Sequence, residues 1–234
     1  MTPLASALDA ALRSPFFGIS LTLAAFLLGK ALSARLRWTI VNPFVVAIFT
    51  IIAFLTLCDI PLSYYEAGGD ILSLMLVPAT AILGVSVFNR RALLRENLLP
   101  ILAGCGVGTL VSIGSVYGLC RLFGLDETLM HSLLPKSVTT PIAIELAEIA
   151  GGIVPLAIAA VAVTGVTGVV CLPPLLRRLR IDDPVTAGVA IGVSSHALGT
   201  ARAVELGETE AAASGIALCV TGVLTAAVFL WLFA

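Results

Sequence analysis

The stretch SLLPKSVTTPIAIELAEIAGG, Ser132 to Gly152, collects Lys136, Ser137, Thr139, Thr140, Glu145 and Glu148. A lysine among small hydroxyls is a donor set for an anion, a carboxylate above all. Pro135 and Pro141 remove backbone donors and disfavour helix at Leu134 and Thr140, which predicts partly unwound backbone between them. A second polar cluster, SSHALGTARAVE, carries Ser194, Ser195, His196, the helix breaker Gly199, Thr200 and Arg202. Ser195, Thr200 and Arg202 could complete the anion site. Glu145 and His196 are the candidates to carry a coupling proton, since histidine titrates near neutral pH.

Each of these residues also has a plainer role. Lys136 could snorkel to headgroups or neutralise Glu145. Glu145 and Glu148 could cap a short helix, His196 could be hydrogen-bonded between helices, and Arg202 could pair with Glu205. Thr139 and Thr140 could bond back to helix carbonyls.

The surrounding composition makes these polar groups expensive. Of 234 residues, 59% are hydrophobic and only 12% charged, with a mean hydropathy of +1.10. A soluble domain carries about 25% charged residues, so the chain belongs to the membrane class. An ionisable side chain at mid-bilayer costs about 2.5 to 3.5 kcal/mol on insertion scales and by default marks function. Loose backbone at that depth survives only in protein or beside a wet cavity. A net charge of −1 and a pI near 6.1 offer no basic surface for nucleic acid. Cys58, Cys105, Cys120, Cys171 and Cys219 are scattered through apolar runs without metal-type spacing. No cofactor or metal is expected. No Gly-x-Ser-x-Gly or His-Glu-x-x-His motif supports an enzyme. The N-terminus shows no basic region followed by an Ala-x-Ala site, so the first span is expected to direct insertion.

Crossing hydrocarbon takes roughly 20 apolar residues. About seven stretches qualify: Phe16–Leu32, Trp38–Cys58, Ile71–Phe88, Leu98–Cys120, Ile153–Leu176, Val185–Ala203 and Ala211–Phe233. The expected fold is an all-α polytopic integral membrane protein, about seven transmembrane helices plus a re-entrant or broken-helix segment, as one domain over residues 1–234. Lys30, Arg35 and Arg37, then Arg90, Arg91 and Arg95, then Arg177, Arg178 and Arg180 place three loops in the cytoplasm. The loops holding Asp59, Glu66 and Asp70, Asp126 and Glu127, and Glu205, Glu208 and Glu210 then face outward. The N-terminus lies outside and the C-terminus in the cytoplasm. This assignment favours a re-entrant hairpin at Ser132–Gly152 over a complete crossing.

Gly104 and Gly108, and Gly188 and Gly192, form Gly-x3-Gly pairs suited to close helix packing. On an unbroken helix Gly188, Gly192, His196 and Thr200 would share one face. Transporters often build a midplane site from two interrupted segments of this kind.

The strings LLPKSVTTPIAIELAEIAGGI and VTGVTGVVCLPPLLRRLRIDDPVTAGVAIGVSSHALGTARAVELGE resemble the LrgB family, also called CidB or YohK-like. The resemblance implies a bacterial inner-membrane location. It implies two roles: holin/antiholin-like control of murein hydrolase activity with a small LrgA/CidA-type partner, or exchange of small carboxylates such as glycolate, glycerate or pyruvate. The family's motif residues fall here on Lys136, Ser137, Thr139, Thr140, Pro141, Glu145, His196, Gly199, Thr200 and Arg202. A holin needs little more than helices that oligomerise, whereas a transporter gives two polar, broken segments a purpose. The expected function is therefore secondary transport of a small 2-hydroxy or 2-oxo monocarboxylate. The alternative is a holin/antiholin-like regulator of murein hydrolase activity and autolysis acting with an LrgA/CidA-type partner, or, purely structurally, a scaffold that holds such a partner through the glycine faces. A homo-oligomer also stays open.

Overall fold

The computed structural model describes residues 9–36, 43–75, 78, 81, 82, 85 and 88–233. Regular structure among them is helical throughout. The chain divides into two compact units, residues 1–79 and 80–234.

The first unit contains α1 (Pro15–Leu36), α2 (Pro43–Leu57) and α3 (Leu62–Ser73). The segment with Glu66 and Asp70, expected as an outer loop, is the helix α3. Its fold is tertiary in origin: Gly68 lies against α1, where an added Cβ would stand 2.7 Å from the Ile19 nitrogen and 2.8 Å from the Gly18 Cα. Thr22 Oγ1 and Tyr65 Oη, 3.0 Å apart, tie the same two helices. Arg37 and the start of the second expected span, Trp38 included, lie outside the described residues, as does much of the third expected span, Ile71–Phe88.

The second unit contains α4 (Arg91–Glu96), α5 (Leu98–Leu122), α6 (Glu127–Leu133), α7 (Thr140–Ile149), α8 (Val154–Arg178), α9 (Pro184–Ala203) and α10 (Glu208–Phe233). Four helices of the described residues are long and apolar enough to cross a membrane: α1, α5, α8 and α10. The apolar α2 has only 15 residues. With 20 residues α9 is long enough but too polar, because it carries the second polar cluster. The expected count of about seven is not confirmed among the described residues, which omit parts of the second and third expected spans.

In the second unit α9 and α10 pack most intimately. A Cβ at Gly192 would fall on the Ser214 carbonyl oxygen and 2.9 Å from the Ala217 Cβ, and one at Gly188 would meet the Glu210 backbone and Ala213. The Gly188–Gly192 face is therefore spent on α10 and not open to a partner protein. Gly104 and Gly108 of α5 face Val189 and Val193 of α9 and line an apolar groove with them. Ile101, Cys105, Val189, Ala213, Ile216 and Ala217 form the core these three helices share. Asp183 caps α9 by accepting from the Thr186 nitrogen at 2.7 Å and its hydroxyl at 2.6 Å. Those bonds hold the Asp183 carboxyl below its usual range.

The short helices α6 and α7 form a hairpin whose two ends meet. His131 Nδ1 donates to the Ala150 carbonyl at 2.6 Å, and the Ile153 nitrogen donates to Ser132 Oγ at 2.7 Å. Ser132 in turn donates to the Thr128 carbonyl at 2.7 Å. Gly151, with φ 71°, turns the chain out of α7, and Gly152 crosses so close to Ser132 that a Cβ would lie 2.9 Å from its nitrogen. Val116 and Cys120 of α5, Met130, Leu134, Leu146 and Phe229 of α10 clamp the hairpin. Ser132→Ala removes the acceptor of the Ile153 N–H, which costs about 0.5 to 1.5 kcal/mol. A lowered midpoint for thermal unfolding in detergent is the expected result.

Candidate functional site

At the hairpin tip, residues 134–139 are non-helical, between the end of α6 and Pro141 in the first turn of α7. Lys136 Nζ donates to Ser137 Oγ at 3.1 Å, and Ser112 Oγ of α5 donates to the same oxygen at 2.7 Å. Val138 is buried against Ala143 and Val161 of α8. Lys136 is half-buried and has no carboxylate partner: the ion pairs of the described residues are Arg13–Asp9, Arg121–Glu127 and Arg202–Glu205. A half-buried ammonium without a counter-charge is costly unless an anion completes it.

The second polar cluster packs on the same helix as the tip, α8, through a break in α9. At His196 the backbone takes φ 38° and ψ −131°, so two helical segments join across a kink. The break falls at His196, three residues before Gly199, which had been the expected breaker. Gly199 is helical, and its missing Cβ makes room for Ser195 and Ile191. The kink also redistributes the expected common face. Gly188, Gly192 and Thr200 face α10, with Thr200 Oγ1 2.8 Å from Ser214 Oγ. His196 turns to α8, where its ring lies against Gly165. Its ring is 2% exposed, and Nε2 has no hydrogen-bond partner. Gly168 makes way for Ser195.

A non-glycine residue at positive φ costs of order 1 to 3 kcal/mol. Glycine adopts that conformation freely. His196→Gly is therefore expected to be more stable than His196→Ala by about 1 kcal/mol or more, inverting the usual helix order in which glycine is worse by about 1 kcal/mol. Paired unfolding curves in detergent check the sign.

Hydrogen bonding sorts the remaining candidates. Thr139 Oγ1 is buried at the tip with no partner, a state native proteins rarely leave unexplained. Thr140 begins α7 beside it. Thr200 donates to the His196 carbonyl at 2.9 Å, so Ser214 must be the donor between those two hydroxyls. Ser194 donates to the Ala190 carbonyl, which makes Ser195 the donor to Ser194. Arg202 pairs with Glu205, roughly 9 Å farther along α9 than His196 at 1.5 Å per residue. Glu145 and Glu148 are exposed on α7 and do not pair with Lys136.

Sequence reasoning missed Ser112. A signal for Ser112 existed: Thr109, Ser112 and Ser115 recur every third residue in an otherwise apolar span. Their meaning depended on which helix the hairpin would meet.

The fold and site define a membrane-type protein, helical throughout its described residues, in which a hairpin tip and a broken helix both pack on α8 and carry unsatisfied polar atoms beside a lysine that has no ion-pair partner among the described residues. The chain belongs to the LrgB-like family, whose model matches residues 22–234. It is similar to the Antiholin-like protein LrgB of Bacillus subtilis (strain 168), with 35% identity over 213 residues, 91% of this chain and 92% of the relative. No solved structure matches the chain.

Proposed function

We propose that the protein is a secondary transporter of small 2-hydroxy or 2-oxo monocarboxylates, of glycolate, glycerate, lactate or pyruvate type. The observation that carries this reading is Lys136, half-buried at the hairpin tip, bonded to Ser137 and without a carboxylate partner among the described residues. Lys136 neutralises the carboxylate; Ser137, Thr139 and Thr140 donate to its oxygens. His196 Nε2 is free to meet the ligand or carry a coupled proton, a role for which exposed Glu145 is less well placed. Ser195 and Thr200 hold the α9 break in shape, and Arg202 stands toward one mouth of the pathway. The hairpin is re-entrant from the outer side of a bacterial inner membrane, a reading supported by its joined ends. Arg177, Arg178 and Arg180 then stay cytoplasmic, as does the C-terminus, with the N-terminus outside.

The test is uptake of labelled glycolate, glycerate, lactate and pyruvate into liposomes holding the purified chain, with and without a pH gradient. Saturable uptake above empty liposomes supports transport. Its absence from folded protein contradicts transport by the chain alone.

A second reading is favoured by the name of the Bacillus relative, and by comparison alone it has the more direct support. In it the chain is an antiholin-like regulator of murein hydrolase activity acting with an LrgA/CidA-type membrane partner. Under that reading the wild-type chain gives no saturable carboxylate uptake, and Lys136→Met leaves control of autolysis intact.

A further inference from the structure

Ser112 sits midway along α5 and reaches across to the hairpin tip. A serine hydroxyl has one proton to give and two lone pairs to receive with. At Ser137 both lone pairs are taken, one by the Ser112 hydroxyl at 2.7 Å and one by the Lys136 ammonium at 3.1 Å. No acceptor for the Ser137 proton occurs among the hydrogen bonds of the described residues. The α9 hydroxyls differ, because Ser195 and Thr200 give their protons to Ser194 and to the His196 carbonyl. Ser137 is only 8% exposed, so water access to that proton is narrow.

We infer that Ser112 is a positioning and specificity residue: with Lys136 it fills Ser137 as an acceptor, making the Ser137 hydroxyl an obligate donor to the bound anion. The inference rests on the carboxylate-transport reading. It adds that Ser137 and Lys136 offer the ligand donors only, the Ser137 O–H and the remaining N–H groups of Lys136. A carboxylate oxygen satisfies them. An amide NH2 or an un-ionised acid O–H placed there meets donor against donor. Removing the Ser112 hydroxyl frees a lone pair on Ser137, which can then rotate and accept, so preference for the anion over its amide weakens.

The experiment uses liposomes holding the full chain, labelled lactate as substrate, and unlabelled lactate and lactamide as competitors. Wild type is compared with Ser112→Ala, Ser112→Cys and Ser112→Thr. Wild type should take up lactate and be poorly inhibited by lactamide. In Ser112→Ala the KM for lactate should rise about tenfold, the scale of one charge-assisted hydrogen bond. The maximal rate should stay roughly constant and the gap between lactate and lactamide should narrow. Ser112→Cys, near-isosteric with only a weak donor, should behave the same and keeps the test decisive if alanine loosens the helix. Ser112→Thr should restore both KM and discrimination. If wild type transports but Ser112→Ala and Ser112→Cys keep its KM and its lactate preference, the inference is overturned and transport stands. A fall in maximal rate with unchanged discrimination makes Ser112 merely structural and also overturns it. No saturable uptake by folded wild type overturns the transport reading and this inference together.

Discussion

Lys136→Met should abolish monocarboxylate uptake while leaving the protein folded, and these two effects have separate causes. Transport is lost because the ligand's carboxylate would enter a mostly buried tip without a counter-charge. Removing one partner of a buried ion pair costs about 3 to 5 kcal/mol, which is a loss of at least 100-fold in affinity. The fold survives because the native ammonium has no carboxylate to lose and only the Ser137 hydroxyl to release. Methionine keeps the length and packing of the stem and removes a desolvation cost. Thermal unfolding in detergent should show stability equal to or above wild type, alongside liposome uptake at background. Lys136→Arg should retain part of the uptake, since it keeps the charge but changes its shape.

Gly192→Val should prevent folding of the second unit. The new side chain would project into the backbone of α10, with the Ser214 carbonyl oxygen at its Cβ position and the Ala217 Cβ at 2.9 Å. Backbone cannot turn aside as a flexible side chain can, so α9 and α10 must separate. Overpacking a tight core costs about 1 to 3 kcal/mol and sometimes more. A shift of α10 also disturbs Ser214, which donates to Thr200 beyond the α9 break. The expected result is loss of folded protein on size-exclusion chromatography in detergent. Gly106→Val on α5, whose Cβ position has nothing within 4 Å, should remain folded and serves as the control.

Helix positions were legible where composition alone decided them. The expected stretch Leu98–Cys120 became Leu98–Leu122, Ile153–Leu176 became Val154–Arg178, and Val185–Ala203 became Pro184–Ala203. Prolines near the starts of α8 and α9 and acidic or basic residues at the ends mark those boundaries without tertiary information. The helix α3 was hidden because Glu66 and Asp70 read as loop, while its packing comes from Gly68 meeting α1. The break in α9 was hidden for a similar reason. Nothing in the type of His196 requires φ 38°; its ring is drawn toward α8 while the glycines before it are held on α10. Lys136, Ser137 and His196 stood out as polar residues in an apolar chain, but the bond from Ser112 to Ser137 required knowing that the hairpin returns to α5.

Equilibrium binding of labelled lactate and pyruvate to the purified chain in detergent tests the central claim most directly, because it asks only whether the hairpin tip holds an anion. The account predicts saturable binding by wild type and none by folded Lys136→Met. Equal binding by the two proteins, or no binding by folded wild type, would contradict it.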